Sequence, residues 1–287
     1  MTPNPLISAE ELLDRLAAPE GAADLRVIDA RFELSDPSYG KAVYSRGTVP
    51  GAVHLDLDED MAGPVRRHGG RHPLPDMNEF VRKLGARGVG DRHQVVVFDD
   101  SGSMYAARAW WLLRYAGHEQ VRFLDGGLAA YLSAGGSLST DPPGHAATRF
   151  TLRLRPEMAV DAEFVSGALT QERVLLLDAR APERYRGEVE PLDPKAGHIP
   201  GAIDRYYLDN LQGGRLAEPA ALHARLAPAA AAETVVAYCG SGVSAAHLIL
   251  ALELAGYPGA KLYAGSWSDW ASRDLPVAVG DEEASAG

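Results

Sequence analysis

Apolar residues fall in short unbroken runs along this chain rather than in strict alternation. Val95-Val96-Val97-Phe98, residues 174–177 and residues 235–238 are runs of this kind. A short continuous run between polar flanks reads as a strand buried on both faces. Residues 162–169 carry a short helical pattern instead. Residues 245–255, rich in Ala and Leu, predict a helix that stops at Gly256, a residue suited to the C-terminal cap. Residues 260–263 predict one more strand. Strands alternating with helices predict an α/β protein whose mostly parallel sheets carry helices on both faces.

The pattern occurs twice. Arg26-Val27-Ile28-Asp29-Ala30-Arg31 returns as Leu175-Leu176-Leu177-Asp178-Ala179-Arg180, and Val49-Pro50-Gly51-Ala52-Val53 as Ile199-Pro200-Gly201-Ala202-Ile203. The strand at Val95 returns at Val235. Gly126-Gly127 followed by Tyr131 returns as Gly265-Ser266 followed by Trp270. Four matches in one order, at an offset of roughly 140 to 150 residues, imply two copies of one domain. Asp141-Pro142-Pro143-Gly144 breaks the chain between them. The division expected is therefore a first domain over 1–140, a linker over 141–157 and a second domain over 158–287.

Composition agrees with two soluble globular domains and removes several function classes. The 287 residues allow about two domains at roughly 150 residues each. Lys plus Arg is 28 against 39 Asp plus Glu, a net charge of −11, which argues against nucleic acid as a partner. Any anionic substrate must then be drawn in by a local cationic site, against the global field. No run of about 18 apolar residues is present, so no membrane partner is expected. Met1-Thr2-Pro3-Asn4-Pro5 has neither the basic region nor the apolar core of a secretion signal. The single cysteine, Cys239, excludes an intramolecular disulfide. These features together predict a cytoplasmic protein.

Cys239 sits where chemistry is expected. It follows the strand run 235–238 and opens the loop Cys239-Gly240-Ser241-Gly242-Val243-Ser244, after which a helix begins. Ligands of open α/β sheets bind at the carboxyl ends of strands. The two glycines allow a tight curl whose N–H groups converge on one point, and the next helix aims its N-terminus there. Such a setting stabilises a thiolate, or the terminal sulfur of a persulfide. A lone cysteine is commonly just a core residue, but a core residue has no need of this loop. In the first copy the same position is Asp99, in Phe98-Asp99-Asp100-Ser101-Gly102-Ser103. A carboxylate cannot perform thiolate chemistry, so the first copy is expected to be inactive by itself. It could still supply walls of a site lying between the domains.

Asp29-Ala30-Arg31, Asp178-Ala179-Arg180, Gly197-His198-Ile199-Pro200-Gly201-Ala202, the Cys239 loop and Gly265-Ser266-Trp267 with Trp270 together resemble the tandem-domain rhodanese family of thiosulfate and 3-mercaptopyruvate sulfurtransferases. The resemblance covers nearly the whole chain. It implies two rhodanese-like domains, an inactive first and a catalytic second. It implies that Cys239 takes sulfur from a small anionic donor, becomes a persulfide, and passes the sulfur to a thiophilic acceptor: cyanide, a small thiol or thioredoxin. The backbone N–H groups of Gly240, Gly242, Val243 and Ser244 would cradle the transferred sulfur. No cofactor and no metal are implied, and a monomer or weak homo-oligomer suffices.

The loop resembles the Cys-Gly-Ser-Gly-Val-Thr of mercaptopyruvate enzymes, which favours 3-mercaptopyruvate as donor over thiosulfate. By the same resemblance Ser241 works with His72, in Gly69-Gly70-Arg71-His72-Pro73, and with Asp58, for which Asp56 is the substitute. A Ser–His–Asp relay of this kind could move a proton as the C–S bond breaks. Arg184 matches the arginine that binds the donor's anionic group, and a guanidinium fork suits carboxylate and thiosulfate alike. The pattern's second arginine, nine residues on, is here Asp193, which keeps thiosulfate open as donor. Lys195 is the nearest cation and Arg186 a further candidate.

Other residues have plainer readings. His198, in the Gly-His-Ile-Pro-Gly turn, is expected to be structural. His68 and His72 have the spacing of a helical metal pair, but Gly and Pro around them disfavour a helix. Trp110, Trp111 and Trp270 read as core or wall, with Trp267 nearer the cysteine loop. Asp281-Glu282-Glu283 reads as an acidic tail. A phosphatase on the same fold would need an arginine six residues after the cysteine, where Ala245 stands. A non-catalytic sulfur carrier or partner-binding module is the remaining alternative; Cys239, Ser241, His72 and Arg184 together argue against it.

Overall fold

The computed structural model describes residues 4–18, 23–171 and 173–281. The acidic tail lies, beyond Asp281, outside the described residues. The chain forms two compact units. Met1–Gly63 and Leu74–Arg155 make the first; Pro64–Pro73 and Pro156–Gly287 make the second. Residues 141–155, read above as linker, are thus grouped with the first unit. Ten residues from the first half of the sequence are grouped with the second.

In the first unit the order is β1 (Leu6–Ile7), α1 (Ala9–Ala17), β2 (Leu25–Asp29), α2 (Tyr39–Arg46), β3 (Val53–His54), α3 (Met77–Ala86), β4 (Gln94–Phe98), α4 (Met104–Tyr115), β5 (Val121–Leu124) and α5 (Gly127–Ser133). The strands make one parallel sheet in the order β1-β5-β4-β2-β3. Val95, Val96, Val97 and Phe98 are all buried, so β4 is covered on both faces, as its unbroken apolar run predicts. On one face Val27, Val96 and Phe98 pack with Leu12 of α1 and Leu128 and Tyr131 of α5.

The second unit repeats this plan: β6 (Ala159–Val160), α6 (Ala162–Ala168), β7 (Val174–Asp178), α7 (Pro182–Tyr185), β8 (Ile203–Asp204), the hairpin β9 (Leu211–Gln212) and β10 (Arg215–Leu216), α8 (Pro219–Arg225), β11 (Thr234–Tyr238), α9 (Ser244–Leu254), β12 (Lys261–Tyr263) and α10 (Ser266–Ala271). Its parallel sheet runs β6-β12-β11-β7-β8, the first unit's order shifted through the repeat. The helix predicted over 162–169 is α6, capped by Asp161, whose side chain accepts from the Phe164 N–H. The helix predicted over 245–255 is α9. It is buried almost all round, as an Ala/Leu helix without a polar face must be. Even His247 on α9 is fully buried, and that burial lowers its pKa to about 3, so it stays neutral.

The repeated Asp-Ala-Arg triplet has one structural use in both units. Arg180 forks the Asp178 carboxylate at 2.7–3.1 Å and reaches the Gly197 carbonyl at 2.6 Å. Arg31 forks Asp29 and reaches the Gly47 carbonyl at 2.8 Å. Each pair pins the turn of the Pro-Gly-Ala motif to the end of a central strand. All four side chains are buried, so removing either partner strands a charge, at a cost of about 3–5 kcal/mol.

Candidate active site

The Cys239 loop leaves the carboxyl end of β11 and feeds α9. It is stapled to the start of α10: Trp267 N donates to the Cys239 carbonyl at 2.9 Å, and Ser268 N to the Gly240 carbonyl at 2.9 Å. Cys239 N donates in turn to Ser266 Oγ at 3.1 Å. These bonds fix the loop without using side chains of the loop itself. The Cys239 thiol is buried at 2% exposure, and its Sγ accepts from the Gly242 N–H at 3.1 Å. Gly242 has φ +80°, and a Cβ there would fall onto the Ala264 carbonyl, so the curl around the sulfur requires glycine.

The first unit contains the same cradle in filled form. The Asp99 carboxylate accepts the N–H groups of Ser101, Ser103, Tyr105 and Ala106 at 2.9–3.2 Å. Four N–H groups thus converge on the first unit's carboxylate, where in the second unit the Gly242 N–H donates to the sulfur. Burial pushes the Asp99 carboxyl up to about 6, the N–H bonds from Ala106, Ser101 and Ser103 only partly opposing it.

His72 and Ser241, 169 residues apart, meet in the second unit: His72 Nδ1 lies 2.7 Å from Ser241 Oγ. Each is 6% exposed. The segment carrying His72 is held on α10. Gly69 N donates to Asp269 Oδ1 at 2.7 Å and Arg71 N to Ser268 Oγ at 3.0 Å. Gly70 has φ +84°, and a Cβ on it would collide with the Gly265 carbonyl, which explains the paired glycines before Arg71-His72. His68 lies on the same loop and bonds Ser272 Oγ at 3.0 Å.

Asp58 belongs to the first unit and is exposed; its backbone N–H donates to Asp56 Oδ1 at 2.9 Å. Partial desolvation of the carboxyl, together with the nearby Asp56 and Glu59 charges, raises its pKa. Asp56 is buried, and its carboxylate also takes the Glu59 N–H at 3.0 Å, so it serves as the local turn cap.

Arg184 and a residue not singled out from sequence, Arg71, converge over Gly240. A Cβ on Gly240 would lie 3.0 Å from Arg71 Nη2 and 3.3 Å from Arg184 Nη1. Arg184 Nη2 bonds Glu190 at 2.7 Å and approaches Asp193 at 3.5 Å. Arg71 Nη1 pairs with the other oxygen of Asp193. The cation nearest in sequence has another use: Lys195 Nζ donates to the Arg273 carbonyl at 2.7 Å. Arg186 is bound to Glu188 at 2.7 Å. His198 is fully buried, stacked on Tyr185 at 3.8 Å and bonded to its carbonyl at 2.8 Å. Trp267 is buried beneath the Arg180 guanidinium, which stands 4.7 Å over its ring.

The scaffold is a duplicated α/β fold whose second copy carries a buried cysteine at the carboxyl end of a central strand. The model of the rhodanese-like domain matches residues 8–134 and again 161–273. The "Probable 3-mercaptopyruvate sulfurtransferase" of Pseudomonas aeruginosa is 47% identical over 283 residues, 96% of this chain and 98% of that protein. The "Putative thiosulfate sulfurtransferase SseB" of Mycobacterium tuberculosis is 39% identical over 275 residues, 93% of this chain and 94% of its own length. Among solved structures, the 3-mercaptopyruvate sulfotransferase SseA of Escherichia coli superposes with a TM-score of 0.80 at 29% identity, over 92% of this chain and 99% of that one. The chain belongs to the rhodanese-like family, as one of its two-domain sulfurtransferases.

Proposed function

We propose that this enzyme moves sulfane sulfur from 3-mercaptopyruvate, through a persulfide on Cys239, to a thiophilic acceptor. The observation that carries the reading is the 2.7 Å contact between His72 and Ser241, two residues after the nucleophile. The Cys239 thiolate attacks the donor sulfur, and the C–S bond breaks. Its electron pair goes to the carbon as an enolate, which takes a proton to become pyruvate. A hydroxyl–imidazole pair beside the cysteine suits that proton transfer. Thiosulfate, by contrast, leaves as sulfite and needs no proton on carbon. In the second half-reaction the acceptor attacks the outer sulfur, and the Cys239 thiolate is released. Cyanide, a small thiol and thioredoxin are the acceptors proposed.

In this reading Arg184 holds the donor carboxylate and the N–H groups from Gly240 to Ser244 hold the sulfur. The first unit, with Asp99 in its cradle, is non-catalytic. Among the described residues no helix is long and apolar enough to cross a membrane. A cytoplasmic enzyme acting as a monomer or weak homo-oligomer completes the proposal. Thiosulfate is the second reading, supported by Asp193 where the mercaptopyruvate pattern has arginine.

The test is paired kinetics with both donors, cyanide as common acceptor and Cys239→Ser as blank. A kcat/KM ratio above about 100 for 3-mercaptopyruvate, near 2.7 kcal/mol of transition-state preference, is expected. Intact mass must also show one added sulfur on the wild type and none on Cys239→Ser. A ratio favouring thiosulfate overturns the donor, and no added sulfur from either donor overturns the persulfide.

A further inference from the structure

The second arm of the donor clamp is expected nine residues after Arg184, where this chain has a carboxylate. The Asp193 side chain is 3% exposed and bridges two guanidinium groups, Arg184 through Nη2 and Arg71 through Nη1. Glu190, equally buried, braces Arg184 through Nη2 and Nε at 2.7 and 3.3 Å. The nitrogens left facing the loop are Arg71 Nη2 and Arg184 Nη1, the two nearest to Gly240. The carboxylates thus grip each fork from one side and leave the other turned toward the residue that follows the nucleophile. Arg71 is itself fixed at its backbone by Ser268 and by the tight approach of Gly70. An acid at position 193 cannot bind an anion, but it can hold an arginine brought from a distant part of the sequence.

We propose that Arg71 is the second arm of the clamp for the donor's anionic group, and that Asp193 is the positioning residue that sets Arg71 beside Arg184. The inference rests on the sulfur-transfer reading of this site and deepens it: the ligand class is a small 2-oxo carboxylate whose carboxylate spans two guanidinium groups. Two arginines with separate braces impose a fixed spacing on the anion, whereas one flexible lysine would supply only a point charge.

The experiment measures steady-state kinetics with 3-mercaptopyruvate and, independently of turnover, calorimetric binding of 3-mercaptopropionate, a carboxylate thiol of similar size. The proteins are the full-length wild type, Arg71→Ala, Arg71→Lys, Asp193→Ala and the double variant. Arg71→Ala is expected to raise KM and the 3-mercaptopropionate Kd by about 10- to 100-fold, the worth of one hydrogen bond to a charged group, with kcat within about threefold. Arg71→Lys should recover part of the loss. Asp193→Ala should raise KM in the same direction, and the double variant should fall short of the product of the single effects, because Asp193 acts through Arg71. A KM and Kd within twofold of wild type for Arg71→Ala overturn the proposal, as does full multiplicativity in the double variant. Wild type that accepts no sulfur from 3-mercaptopyruvate refutes the function instead, and the binding arm still decides the clamp. Thermal melting and the Arg71→Lys protein keep the result readable if Asp193→Ala, whose side chain is buried, fails to fold.

Discussion

Replacing Ser241 by alanine separates the two candidate donors. The hydroxyl sits 2.7 Å from His72 Nδ1, and both side chains are nearly enclosed. Its loss removes one buried hydrogen bond, about 1 kcal/mol net, which a domain stable by about 5–15 kcal/mol survives. The chemical loss is larger. With 3-mercaptopyruvate the departing carbon must be protonated, and a positioned acid is worth about 100- to 10,000-fold. Ser241→Ala should therefore lower kcat with that donor by about 100-fold or more, at least about 2.7 kcal/mol on the barrier. With thiosulfate the leaving sulfite needs no such proton, and kcat should change by less than about threefold. Quenched-flow intact mass under single-turnover conditions isolates persulfide formation, and cyanide turnover to thiocyanate gives the overall rate. His72→Asn should show the same donor split. Equal losses with both donors, appearing in KM rather than kcat, would refute the relay and leave the pair as a prop for the loop.

Three further outcomes follow from the geometry. Gly240→Ala puts a methyl group 3.0 Å from Arg71 Nη2 and 3.3 Å from Arg184 Nη1, so it should raise the donor KM several-fold, roughly 1 kcal/mol of lost binding, while Cys239 still alkylates with iodoacetamide. Gly70→Ala forces a left-handed backbone and a collision with the Gly265 carbonyl; a drop in melting temperature together with loss of activity is expected, since Arg71 and His72 move with it. Asp99 makes the first unit's stability depend on pH. Its folded pKa is raised from 3.8 to about 6, so its contribution is complete below the unfolded value near 3.8 and is lost as pH rises through about 6. The span is about 3 kcal/mol from two pKa units. Urea midpoints compared from pH 4 to 7.5 should fall with pH more steeply in wild type than in Asp99→Asn; parallel curves would show that Asp99 does not titrate there.

The strands, the helices that follow them and the Cys239 loop were legible because they rest on local chemistry. Val236, Ala237 and Tyr238 are buried in a strand because they are apolar and consecutive, and α9 is buried because it has no polar face. The duplication was legible because Asp-Ala-Arg performs the same local turn-pinning twice. His72 and Ser241 were paired by family resemblance and not by pattern, since nothing periodic links residues 169 positions apart. Lys195 drew attention only by being near in sequence, and its ammonium is spent on the Arg273 carbonyl.

By itself the sequence determined the two α/β copies, the nucleophile's loop and the loss of the thiol from the first copy. Each follows from residue type and short-range spacing. The tertiary structure decided which charges meet. It groups Pro64–Pro73 with the second unit, sets Arg71 beside Arg184 over Gly240, and turns Asp193 from an apparent defect into the group that binds both arginines. A guanidinium's partner is fixed by where its backbone is carried by non-local packing, here Gly70 and Arg71 against α10. Contacts of that kind leave no period in the chain.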